Sequence, residues 1–95
     1  MDTYFSDKVA VVTGAGGIIC SQVSLDLAKQ GMTVILIGRT LEKLEKTAAS
    51  IQGIGGKCAC FTCDVTDEKA VYAIADAVYA QYGRVDYLVN GAGGN

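Results

Sequence analysis

The chain has 95 residues, 51% hydrophobic and 19% charged, with twelve glycines, no proline and a formal net charge of −2. That composition is globular, and it supplies no cluster of Lys and Arg for a nucleic-acid or membrane surface, since Lys43 and Lys46 alternate with Glu42 and Glu45. No apolar run reaches the ~20 residues of a membrane-spanning helix. Residues 1–7 also lack the basic start and apolar core of a secretory signal. The sequence therefore predicts a cytoplasmic protein without nucleic-acid or membrane partners.

Residues 8–13, Lys8-Val9-Ala10-Val11-Val12-Thr13, form a short apolar run suited to a strand buried on both faces. The glycine turn Gly14-Ala15-Gly16-Gly17 follows. A helical pattern then opens, with Ile19, Val23 and Leu27 recurring every four residues beside Ala28, and Gly31 at its C-terminal stop. Thr33-Val34-Ile35-Leu36-Ile37 is a second buried strand. Thr40 is placed to cap the next helix, with Glu42 near its positive end. The inward face of that helix reads Leu41, Leu44, Ala48 and Ile51 before Gly53 and Gly55-Gly56 end it.

Residues 57–63, Lys57-Cys58-Ala59-Cys60-Phe61-Thr62-Cys63, make a third strand. Thr66 or Asp67 caps a third helix whose inward face is Val71, Ile74, Ala75, Val78 and Tyr82, and Gly83 closes it. Val85-Asp86-Tyr87-Leu88-Val89 is a fourth strand, running into Asn90-Gly91-Ala92-Gly93-Gly94-Asn95. Strand and helix alternate with short glycine connections, which demands right-handed crossovers and an α/β, three-layer parallel sheet. A doubly wound order of 3-2-1-4 would leave the fourth strand open at its edge. Residues 1–95 are accordingly expected to form a single segment of a longer domain, the sheet being incomplete.

A glycine turn between a buried strand and a helix lets backbone N–H groups approach a pyrophosphate at the positive helix end. The four cysteines include the run Cys58-x-Cys60-x-x-Cys63, which invites a metal reading. On a strand, however, Cys58 and Cys60 share one face and Cys63 takes the other, and the chain has no histidine. These cysteines read as free thiols in a core, and no metal site is expected. Cys20, near a helix N-terminus, is a secondary candidate for a reactive thiol.

Thr13-Gly14-Ala15-Gly16-Gly17, Gly38-Arg39, Asp64-Val65 and Asn90-Gly91-Ala92-Gly93 resemble the N-terminal half of the short-chain dehydrogenase/reductase family, across nearly the whole chain. The resemblance implies a Rossmann fold, a nicotinamide dinucleotide and reversible carbonyl–alcohol hydride transfer on a small-molecule substrate, commonly in a homo-oligomer. Gly14 matches the family's first loop glycine, while Ile18 and Cys20 stand at its second and third glycine places. Ile18 would crowd the pyrophosphate unless the loop shifts, and Gly16 and Gly17 offer the backbone approach instead. Cys20 falls where the third glycine normally eases helix–sheet packing.

Gly38 lies where an acidic residue would bind the ribose of NAD, and Arg39 offers a guanidinium for a 2′-phosphate, favouring NADP(H) over NAD(H). The resemblance puts Asp64 against the adenine amino group, with Val65 beside it. Asp64 also reads simply as an Asx residue at the start of the third helix. Asn90, Ala92 and Gly93 match three residues of an Asn-Asn-Ala-Gly motif, in which Gly91 replaces the second Asn. Asn90 serves there as a ligand-side residue or as a brace of the sheet. Gly38-Arg39 with Glu42-Lys43, together with Asn90-Gly91-Ala92-Gly93-Gly94-Asn95, further resembles a mannonate oxidoreductase-like branch, which implies a sugar-acid or related hydroxy/keto substrate.

The family's catalytic serine, tyrosine and lysine are expected downstream of this region. Tyr72, Tyr79, Tyr82 and Tyr87 are not followed four residues later by Lys, and Tyr4, which precedes Lys8 at that spacing, lies before the first strand. No catalytic residue is assigned here, so the chain alone is expected to be inactive. The same residues also fit a non-catalytic NAD(P)-binding or assembly module of Rossmann shape.

Overall fold

The computed structural model describes residues 6–15, 17–64 and 66–91. Seven elements alternate in chain order: β1 (Val9–Thr13), α1 (Ile18–Lys29), β2 (Thr33–Gly38), α2 (Leu41–Gly53), β3 (Lys57–Thr62), α3 (Glu68–Tyr82) and β4 (Tyr87–Asn90). The strands form one parallel sheet in the order β3-β2-β1-β4. The expected topology is therefore met. Because every pair is parallel, Thr13, Gly38, Thr62 and Asn90 end their strands on the same rim.

The apolar runs of β1 and β2 alternate between two cores, one on each face of the sheet. Val12, Val34 and Leu36 face α1 and α2, where they meet Cys20, Ala28, Leu44, Ala48 and Ile51. Val9, Val11, Ile35 and Ile37 face the other way, onto Val78 of α3. Leu36, Leu44 and Ile51 are fully buried, and each such side chain stabilises the fold by about 1.5–3 kcal/mol. Cys58 and Cys60 pack toward the first core and Cys63 toward the second, the division their alternation predicts.

Helix α1 departs from the expected face by one position. Cys20, Ser24 and Ala28 point inward, whereas Ile19 is 79% exposed. Three small side chains let the helix lie close to the sheet, and Leu25 and Leu27 pack at its flanks. Hydropathy alone misreads this face because Ser24 is polar. Its hydroxyl is satisfied locally, donating to the Cys20 carbonyl at 2.7 Å.

In α2 the expected Leu44, Ala48 and Ile51 are joined inside by Thr47, while Leu41 stays half exposed. Thr40 holds the N-cap position through its backbone, but its hydroxyl makes no capping bond. In α3 only Val78 is fully covered, with Ile74 and Tyr82 packed partly against it. Gly83 closes α3 at φ +78°, and its N–H donates to the Tyr79 carbonyl at 2.8 Å.

β4 begins at Tyr87 rather than Val85; Asp86, just before it, donates its own N–H to the Val9 carbonyl at 2.8 Å and turns its side chain back on the same residue. Its carboxylate accepts the Val9 N–H at 2.8 Å and takes the Arg84 guanidinium through two 2.8 Å bonds. The Arg84 bonds, then the Val9 bond, hold the Asp86 carboxyl down at about 2. Among the described residues no helix is long and apolar enough to cross a membrane.

Candidate dinucleotide site at the sheet rim

The chain direction reverses about β1, since β2 and β3 lie to one side and β4 to the other. In open parallel sheets, ligands bind at the carboxyl ends of the strands where such a reversal leaves a crevice. The glycine turn after β1 stands there. Gly14 adopts φ +72°, a conformation that L side chains rarely take. The Gly17 N–H donates to the Gly14 carbonyl at 3.0 Å, closing the turn.

Ala15 is tied down on both sides. Its N–H donates to the Ile37 carbonyl at 3.1 Å, and its own carbonyl accepts the Thr47 hydroxyl at 3.2 Å. Thr47 is therefore a residue that sequence reasoning missed. It lies on the inward 44-47-48-51 face of α2, so a polar residue at an inward helical position was the available signal.

Gly17 is the N-cap of α1 in an extended conformation (φ −77°, ψ 159°), with no side-chain capping bond and no acidic residue in the first turn. The first-turn N–H groups of a helix have no partner within it, and they carry the positive end of the helix dipole. Ile18 is 90% exposed and does not enter the core. Cys20, by contrast, is buried beneath the turn.

The structure brings Arg39 and Asp64 together across the ends of β2 and β3. The Arg39 guanidinium lies 3.6 Å from Asp64 Oδ2, and both side chains are open to solvent. Asp64 Oδ1 accepts from the Thr66 hydroxyl at 2.6 Å and from the Thr66 N–H at 2.9 Å. These two bonds, with Arg39 contributing less, hold the Asp64 carboxyl below its usual value. Asp64 thus makes the Asx turn foreseen for it, while Asp67 caps α3.

On the other side of β1, the Thr13 hydroxyl donates to Asn90 Oδ1 at 3.0 Å, bracing β4 against β1. Gly14, Gly17, Ile18, Arg39, Asp64 and Asn90 accordingly lie at or just beyond the carboxyl ends of their strands. Gly16, Val65, Ala92 and Gly93 lie outside the described residues.

A Rossmann-type parallel sheet with a glycine turn feeding an uncapped helix defines a nucleotide-binding class of protein. Comparison with known proteins narrows the class. The short chain dehydrogenase family model matches residues 8–95. The chain belongs to that family of oxidoreductases.

The uncharacterized oxidoreductase UxuB of Bacillus subtilis (strain 168) is 39% identical over 88 residues, covering 93% of this chain and 32% of its own length. An NAD+-bound xylitol dehydrogenase superposes with a TM-score of 0.84 at 40% identity, covering 90% of this chain and 33% of its own. A metagenomic short-chain oxidoreductase in complex with NADP gives 0.85 at 37%, with 88% of this chain and 38% of its own covered. A D-mannonate oxidoreductase, so described provisionally, from Haemophilus influenza with bound NAD gives 0.86 at 31%, with 95% and 32% covered. The chain therefore spans about a third of the length of the proteins it matches. Both nicotinamide dinucleotides occur among these neighbours.

Proposed function

We propose that this chain is the cofactor-binding part of an NAD(P)-dependent oxidoreductase, and that its 95 residues form one segment of a longer Rossmann domain. The observation that carries the reading is the bare positive end of α1, reached through the left-handed Gly14 at the sheet's reversal point. The pyrophosphate would sit over the turn of Gly14, Gly16 and Gly17, on the N–H groups that open α1 after Gly17, with Ile18 at its margin. Asp64 and Val65 would flank the adenine, and Asn90, Ala92 and Gly93 would line the side toward β4. The cofactor, when bound, supplies the hydride; this segment's part is to bind and orient it.

NADP(H) is the preferred cofactor in this reading. No acid stands between β2 and Glu42 to hold a ribose 2′-hydroxyl, and Arg39 follows Gly38 directly. A 2′-phosphate carries more charge than the Asp64 carboxylate and offers the guanidinium a bidentate partner. The substrate is a small alcohol or carbonyl compound, with a sugar acid favoured by likeness to the D-mannonate oxidoreductase. The intact enzyme is further proposed to be a cytoplasmic homo-oligomer whose serine, tyrosine and lysine lie outside this segment.

Titrating the intact protein with NADPH and NADH tests the reading. NADPH should bind more tightly, and Arg39→Ala should weaken NADPH by ~ten-fold while moving NADH less than two-fold. Unchanged NADPH affinity in R39A would remove the preference. Failure to bind either nucleotide would remove the function.

A further inference from the structure

Gly91 is a glycine with no conformational reason to be one. Among the described residues the positive-φ glycines are Gly14, Gly31, Gly55 and Gly83, and Gly91 is not one of them. Its requirement is spatial. A Cβ built on Gly91 would fall on the Cys20 sulfur and come within 3.2 Å of the Thr13 carbonyl oxygen. That same carbonyl accepts the Gly91 N–H at 3.2 Å, which fixes the residue against the end of β1.

Cys20 cannot easily retreat. It lies on the first turn of α1, is 8% exposed, and packs into the core that includes Val12 and Ala28. Interiors packed at crystal density do not absorb an added methyl without moving something. The two departures noted in the motifs are therefore one feature. A side chain stands at position 20 where the loop pattern has none, and none stands at position 91 where the motif after the fourth strand has one.

We infer that Cys20 is a positioning residue whose sulfur seats the end of β4 against the first turn of α1, and that Gly91 is the space it occupies. Resting on the dinucleotide reading above, this means that cofactor affinity depends on Cys20 and Gly91 as a pair. The carbonyl of Thr13 is the shared wall, and its side chain holds Asn90 one residue earlier. Bulk added at position 91 would displace the end of β4, the α1 first turn, or both.

The test compares the intact wild-type protein with Gly91→Ala and with the double variant C20A/G91A. In the double variant the two Cβ atoms would lie 3.6 Å apart, an ordinary contact. Affinities for NADPH and NADH are measured well below the unfolding temperature of every variant, and Tm is measured without nucleotide. G91A is expected to lose ~ten-fold in dinucleotide affinity, and C20A/G91A to return within ~three-fold of wild type. A G91A protein with wild-type affinity, or a double variant no better than G91A, overturns the inference.

A Tm that shifts while affinity stays constant also overturns it, since that is the signature of packing alone. Should the wild type bind neither nucleotide, the functional reading fails separately. The pairing is then decided by whether the double variant regains the Tm that G91A loses. If G91A does not fold, a double variant that folds and binds within ~three-fold of wild type upholds the pair, and one that is unfolded or binds more weakly overturns it.

Discussion

Two of the helices begin in opposite ways. Asp67 caps α3, accepting the Lys69 and Ala70 N–H groups at 3.1 and 3.3 Å, and Glu68 adds a second acid to the first turn. α1 begins at Gly17 with neither a side-chain cap nor an acid. The first arrangement is that of a helix stabilised for its own sake. The second forgoes that stabilisation and keeps donors and partial positive charge free for an anion. The contrast teaches that a missing cap can be as informative as a motif, because this fold has the means to supply one and does so nearby.

Making α1 resemble α3 should have the largest effect. Gly17→Asp fits the extended backbone at that position, and the new carboxylate would occupy the anion's place. Like charges about 4 Å apart in a partly screened site repel by a few kcal/mol, so dinucleotide affinity should fall by the order of a hundred-fold. Apparent Tm without ligand should rise slightly, as Asp exceeds Gly at an N-cap by only a few tenths of a kcal/mol. Titration together with thermal unfolding reads both, and an unchanged affinity would remove α1 from the site.

A smaller effect is expected at Thr47. Thr47→Val leaves the Ala15 carbonyl without its donor, which costs about 1–3 kcal/mol for a buried group and loosens the turn. Nucleotide affinity should drop by roughly five-fold, a change of about 1 kcal/mol. Thr47→Ser, which keeps the hydroxyl, should restore the affinity. The smallest effect on binding belongs to Asp67→Ala. It should destabilise the fold by about 1 kcal/mol in denaturant unfolding and leave dinucleotide affinity unaltered.

Topology was legible in the sequence because the strands are continuous apolar runs and the turns carry glycine. The order β3-β2-β1-β4 follows from that alternation and from the doubly wound arrangement. The α1 face was not legible, since Ser24 hides its polarity through a bond to its own helix while the larger Ile19 remains outside. The first residue of β4 was missed because the Val9 N–H goes to the Asp86 carboxylate, where a regular ladder would give it a backbone carbonyl. At the sheet rim, the positions of the motif residues at the strand ends were readable one at a time, but their partners were not. The Arg39–Asp64 pair, the Thr47–Ala15 bond and the contact that excludes a side chain at Gly91 all join residues distant in sequence. Local periodicity carries no record of such contacts.

The bond from Thr47 to Ala15 has a mechanical consequence. α2 starts two residues after Arg39, and its Leu44 and Ile51 are locked into the sheet. The helix thus carries a tether to the glycine turn and begins just after the residue whose guanidinium is proposed for the 2′-phosphate. A shift of α2 would therefore pull on the glycine turn through Thr47, so the proposed cradle inherits the helix's seating on the sheet.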